Sequence, residues 1–98
     1  MEKVAVIFRV WKKTGDVIAF FPEIPADYNG YLMSSYEHIG QHGAADYFGL
    51  IPDTYLATRS EYAELKKELT SIGYKLKVVF KETQKMRAIR KQVVKLMR

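Results

Sequence analysis

Between Ser34 and Tyr47 the chain reads Ser-Ser-Tyr-Glu-His-Ile-Gly-Gln-His-Gly-Ala-Ala-Asp-Tyr. These residues concentrate two imidazoles, an amide, carboxylates and two phenols in one short span. His38 and His42 stand four apart, the spacing that brings two metal ligands to one face of a helix. Glu37 or Asp46 would supply a third ligand. Gly40 and Gly43 oppose a regular helix there, and no second His or Cys cluster follows, so His38 and His42 are weak metal candidates. A second chemistry would have Asp46 orient His42 as base for Ser34, Ser35 or Tyr36 as nucleophile. The plainest account is a tight loop whose glycines adopt positive φ and whose polar side chains bond stray backbone groups. The candidate ligand or partner residues are therefore Tyr36, His38, Gln41, His42 and Asp46. No Gly-rich phosphate loop, His-Glu-x-x-His or Gly-x-Ser-x-Gly occurs, so no cofactor is expected and no residue is assigned a catalytic role.

The second place with chemistry is the C-terminal stretch. Residues 81–98 hold seven basic side chains against the single acid Glu82, a local charge of +6 in a chain of net charge +5, so residues 1–80 are nearly neutral. At 100° per residue, Met86, Ile89, Val93, Leu96 and Met97 form an apolar stripe interrupted by Arg90. Arg87, Lys91, Lys95 and Arg98 share another arc. Three readings are open: a docked helix with a solvated basic face, a phosphate-binding face, or a dimer seam. Four phosphate contacts would give a salt slope of about −3.6 on duplex DNA. Met86, Ile89, Val93 and Leu96 occupy a and d positions of two heptads, the candidate seam of a homodimer. The tyrosines and Trp11 invite comparison with stacking platforms for single strands. Tyr62 and Tyr74 fall on expected core faces, whereas Trp11, Tyr28, Tyr31 and Tyr36 could line a recognition surface.

The elements that must position these groups follow from pattern. A chain of 98 residues, 48% apolar and 28% charged, suits one globular domain. It has no cysteine, which removes disulfides and thiolate sites. No segment approaches the roughly 20 apolar residues of a membrane span, and the N-terminus is no signal peptide, so a cytoplasmic protein without membrane contact is expected. Lys3–Trp11 and Val17–Phe21 are β-branched and aromatic and form a hairpin across Gly15. Tyr31–Glu37 is a third strand, and residues 38–50 read as a loop with one helical turn near Ala44–Phe48. Thr54–Ala57 is a short strand. Thr58-Arg-Ser-Glu61 fits a capping box opening a helix with Tyr62, Leu65, Leu69 and Ile72 inward. Tyr74–Lys81 alternates as a strand with Tyr74, Leu76, Val78 and Phe80 inward, and the Ala57–Tyr74 crossover is long enough for a right-handed parallel link.

Several of these pieces resemble one group of sequences. Val6-Ile-Phe-Arg9 with Trp11, Asp16–Asp27, Tyr36–Asp46 and the two stretches Leu56–Tyr62 and Ser71–Val78 are similar to short uncharacterised bacterial proteins. Proteins of that group are often carried on phages, plasmids and conjugative elements. The likeness spans about residues 4–80, and His-Ile-Gly-Gln-His-Gly is its most recognisable part. It implies a mobile-element setting and no activity.

The expected architecture is α+β. A mostly antiparallel sheet of 4–5 strands with one packed helix occupies residues 1–80, and a basic amphipathic helix, residues 81–98, is appended to it. The expected function is a small non-catalytic binding or accessory protein of mobile-element type, its partner a protein or nucleic acid. The alternative is a metal-binding or small-molecule site, catalytic or not, centred on His38 and His42.

Overall fold

In a computed structural model the chain is described over residues 3–38 and 41–97. It forms an α+β fold around one six-stranded sheet. In chain order the elements are β1 (Val4–Trp11), β2 (Val17–Pro25), β3 (Met33–Glu37), β4 (Gln41–Ala45), α1 (Tyr47–Leu50), a 3-10 turn (Ile51–Asp53), β5 (Thr54–Leu56), α2 (Arg59–Ser71), β6 (Leu76–Val78) and α3 (Gln84–Met97). The sheet runs β4-β3-β2-β1-β5, with β6 also on β1. Every pairing is antiparallel except β1–β6.

β1 organises the sheet because both of its edges and both of its faces are occupied. Ile7–Val10 pair with Val17–Phe20 of β2, the hairpin closed by Gly15 at φ 78. On the other edge the Val4 amide donates to Lys75, while the carbonyls of Val6 and Phe8 accept from Val79 and Ala57. Such a strand has no polar face to offer water. Accordingly Val6, Phe8 and Val10 pack in one apolar cluster under α2, and Ile7 packs in a second cluster on the opposite face. The strand–helix–strand unit is present, but β5 and β6 do not form the parallel pair that the crossover length allowed. Both ride on β1, β5 antiparallel and β6 parallel to it.

Three expectations need correction. The stretch read as a loop contributes β4, which raises the strand count to six: Gln41–Ala45 pair residue by residue with Met33–Glu37. Its small and polar side chains carry little intrinsic strand preference, so the pairing comes from β3 and not from β4's own composition. Ile72 is 52% exposed and Phe80 is 64% exposed. Both lie beyond regular structure: α2 ends at Ser71 and β6 at Val78, so the periodicity that would turn them inward has already stopped.

The capping box of α2 forms as expected. Thr58 Oγ1 accepts from the Glu61 amide at 3.3 Å, and Glu61 Oε1 accepts from the Thr58 amide at 2.9 Å. That backbone hydrogen bond, joined by the Tyr55 hydroxyl, holds the Glu61 carboxyl below its ordinary range. Thr58→Ala should cost about 1 kcal/mol in urea unfolding at neutral pH. Because the folded pKa of Glu61 is depressed, its share of the cap is complete above the unfolded carboxyl pKa. That share disappears as the pH falls through the folded value.

Candidate functional site

The β3–β4 hairpin and α2 together collect part of the histidine stretch. Tyr36 and His42 are cross-strand partners, and their rings meet edge to face with centroids 4.8 Å apart. Tyr36 is buried, and its hydroxyl donates to Glu68 Oε2 on α2. His38, in the turn after β3, places Nδ1 on the other oxygen of the same carboxylate. His42 Nε2 hydrogen-bonds with the Tyr74 hydroxyl at 3.2 Å, and Tyr74 stacks on Phe21. The two histidines are therefore tied to separate partners. Among the described residues, no group of three or more His, Asp and Glu side chains is placed to hold a metal ion. Gln41 takes part through its backbone, opposite Glu37.

Asp46 does not join this group. It precedes α1 at the far end of β4, makes no side-chain capping bond, and lines a different cleft with residues of α3. The paper mechanism in which Asp46 orients His42 therefore has no geometry behind it. Beside His38 lies a cleft of about 390 Å³ whose walls include Asp16, Glu37, Glu61, Glu64 and Glu68. It is an acidic surface that disfavours polyanions.

The second cleft is built by the docking of α3 on β2. Arg90, read from sequence as a blemish in the apolar stripe, is 3% exposed and makes the attachment. Its Nε donates to the Gly30 carbonyl at 2.7 Å, and its Nη1 donates to the Pro22 carbonyl at 2.7 Å and to Glu82 Oε1 at 2.6 Å. Gly30 holds φ 75, and a Cβ built there would come within 3.4 Å of Lys91 Cγ and 3.5 Å of Val94 Cγ2. Those are ordinary van der Waals distances, so it is the left-handed turn that calls for glycine here. Val94 is buried beside it.

With α3 held this way, a cleft of about 410 Å³ opens between the Gly30 turn, α1 and the helix. Its wall includes Tyr31, Asp46, Phe48, Glu82, Arg87 and Lys91. The Arg87 guanidinium lies 5.4 Å from the centroid of the Phe48 ring, a cation–π contact. Phe48 is 57% exposed and Tyr31 71% exposed. Lys95 is exposed one turn beyond Lys91, and Arg98 lies outside the described residues. Of the heptad positions, Ile89 and Leu96 are exposed while Met86 and Val93 are half-buried.

The structure thus unites Tyr36, His38 and His42, unites Arg87 with Lys91, and moves Asp46 from the first set to the second. Sequence reasoning missed Glu68, Phe48, Glu82 and Arg90. For the last two a signal exists: a lone acid ahead of a basic helix, and a lone arginine on that helix's apolar stripe, suggest a buried pair. Nothing local marks Phe48 or Glu68. The chain matches no protein-family model, and no curated protein or solved structure matches it.

Proposed function

We propose that this protein is a small non-catalytic module that binds single-stranded nucleic acid along α3 and the cleft beside it. The observation that carries this reading is the Arg87 guanidinium over the exposed Phe48 ring, with Tyr31 and Lys91 on the same wall. Single-strand binders join a cationic track to aromatic faces, because every base has a face to stack and every linkage a phosphate to neutralise. Here Phe48 and Tyr31 offer the faces, while Arg87, Lys91 and Lys95 meet the phosphates. The charge distribution supports the same orientation, since residues 81–98 carry the positive excess and the cleft beside His38 is acidic. The mobile-element setting that the sequence resemblance implies, and an accessory role within it, belong to this proposal.

Fluorescence anisotropy with a labelled ten-nucleotide single strand tests it. Three phosphate contacts predict a slope of log K against log salt of about −2. Phe48→Ala should weaken binding by about 1–3 kcal/mol through lost stacking, and Arg87→Ala should make the slope shallower by about 0.7. Absence of binding at 50 mM salt, or a Phe48→Ala affinity equal to wild type, would reject the proposal.

A further inference from the structure

The helix α2 segregates its charges. At the helical period, Glu61, Glu64 and Glu68 fall on one flank of its buried stripe, and Arg59, Lys66 and Lys67 fall on the other. The first flank borders the acidic cleft beside His38. The second borders an open groove of about 990 Å³ between α2 and β6. Lys3 and Lys77 line this groove too, so five exposed cationic residues meet there, with no acidic residue among those described. They are five of the nine basic residues within 1–80, gathered on one surface of a stretch that is nearly neutral as a whole. Leu76 and Val78 are half-buried along the groove, and Phe80 lines it with its ring exposed.

This groove also contains an open strand edge. Among the described residues β6 pairs with β1 alone. The Lys75 carbonyl accepts from the Val4 amide, and the Val79 amide donates to the Val6 carbonyl. Backbone groups alternate between the two edges of a strand, so those of Leu76 and Val78 point away from β1. We infer that the groove binds an extended acidic peptide of a partner protein, which adds to β6 as a further strand. In strand addition the main chain supplies affinity and the flanking side chains supply specificity. Here the five cations select Asp and Glu. The same charges keep β6 from pairing with a second copy of itself, since like charges would face each other. From Arg59 to Ser71 the α2 wall is about 18 Å long, a match for about six residues of extended chain. A nucleic acid fits this groove less well than the α3 cleft, because Phe80 is the one exposed ring among its described wall residues and bases need faces to stack on.

The test is fluorescence anisotropy of the full chain at low salt with a labelled octapeptide of alternating glutamate and valine. Binding should saturate, and the glutamine–valine octapeptide should bind about tenfold more weakly for want of its charges. Two more peptides carry N-methyl groups on every glutamate or on every valine. One of these sets of amides faces β6 and the other faces water. One methylated peptide should therefore lose about tenfold through missing hydrogen bonds, while the other keeps the parent affinity. Lys66→Gln combined with Lys67→Gln should weaken the parent peptide about fivefold and leave binding of the labelled single strand unchanged. Should that variant fail to fold by circular dichroism, the peptide series decides the matter with the unaltered protein. Absence of saturable binding, equal affinity for the glutamine peptide, or equal affinity for the two methylated peptides would overturn the inference. An equal loss of peptide and single-strand binding in the lysine variant would assign the groove to nucleic acid and overturn it as well. The groove and the α3 cleft share no lining residue, so failure of the single-strand reading is a separate result.

Discussion

Arg90→Ala should destabilise the protein by about 3–5 kcal/mol, measured by urea unfolding at pH 7. The substitution strands a buried carboxylate, because Arg90 and Glu82 have side chains 4% and 1% exposed. It also removes the donors to the Pro22 and Gly30 carbonyls. Taking a charge out of water is costly, and its partner offsets that cost only when present. Set against the roughly 5–15 kcal/mol that holds a small domain folded, this loss is a large share. Replacing both partners with apolar residues, as in Arg90→Met with Glu82→Leu, should recover the part due to the stranded charge, while the Pro22 and Gly30 carbonyls still lack their donors. A loss below about 1 kcal/mol in the single variant would show the pair to be solvated, in the range of surface ion pairs.

Leu69→Ala is the second large effect, expected at about 2–5 kcal/mol by the same measurement. Leu69 is fully buried and packs in the cluster that joins α2 to β1, β2 and β3. Truncation leaves a void between two layers that the sheet cannot collapse to fill, because β1 is held on both edges. Ile72→Ala, three residues on in the same expected stripe, should change stability by no more than about 0.5 kcal/mol, since Ile72 is 52% exposed. A comparable cost at both positions would mean that α2 continues inward past Ser71.

That contrast shows where pattern ends as a guide. The hairpin, the capping box and the α+β architecture were legible because each rests on neighbours in the chain: alternation, a turn glycine, an N-cap with its glutamate. β4 was not, because its identity as a strand comes from the edge of β3 and not from Gln-His-Gly-Ala-Ala itself. The site was legible in its parts and less so in its assembly. Arg87 and Lys91 were selected by helical arc. Phe48 arrives from a four-residue helix whose place beside α3 is set by tertiary packing. Arg90 ran against the hydrophobic pattern, and such a conflict marks a residue with a specific task when a partner is present to meet it.

The ties from Arg90 reach back sixty residues to Gly30 and sixty-eight to Pro22. A polypeptide emerging from the ribosome therefore displays β2 and the following turn long before the helix that covers them has been made. Until then those two carbonyls are left to water, and the apolar end of β2 stays open to passing chains, the kind of transient exposure on which chaperones act. Translation pauses after Tyr74 would lengthen that window, and pauses after α3 has emerged would not.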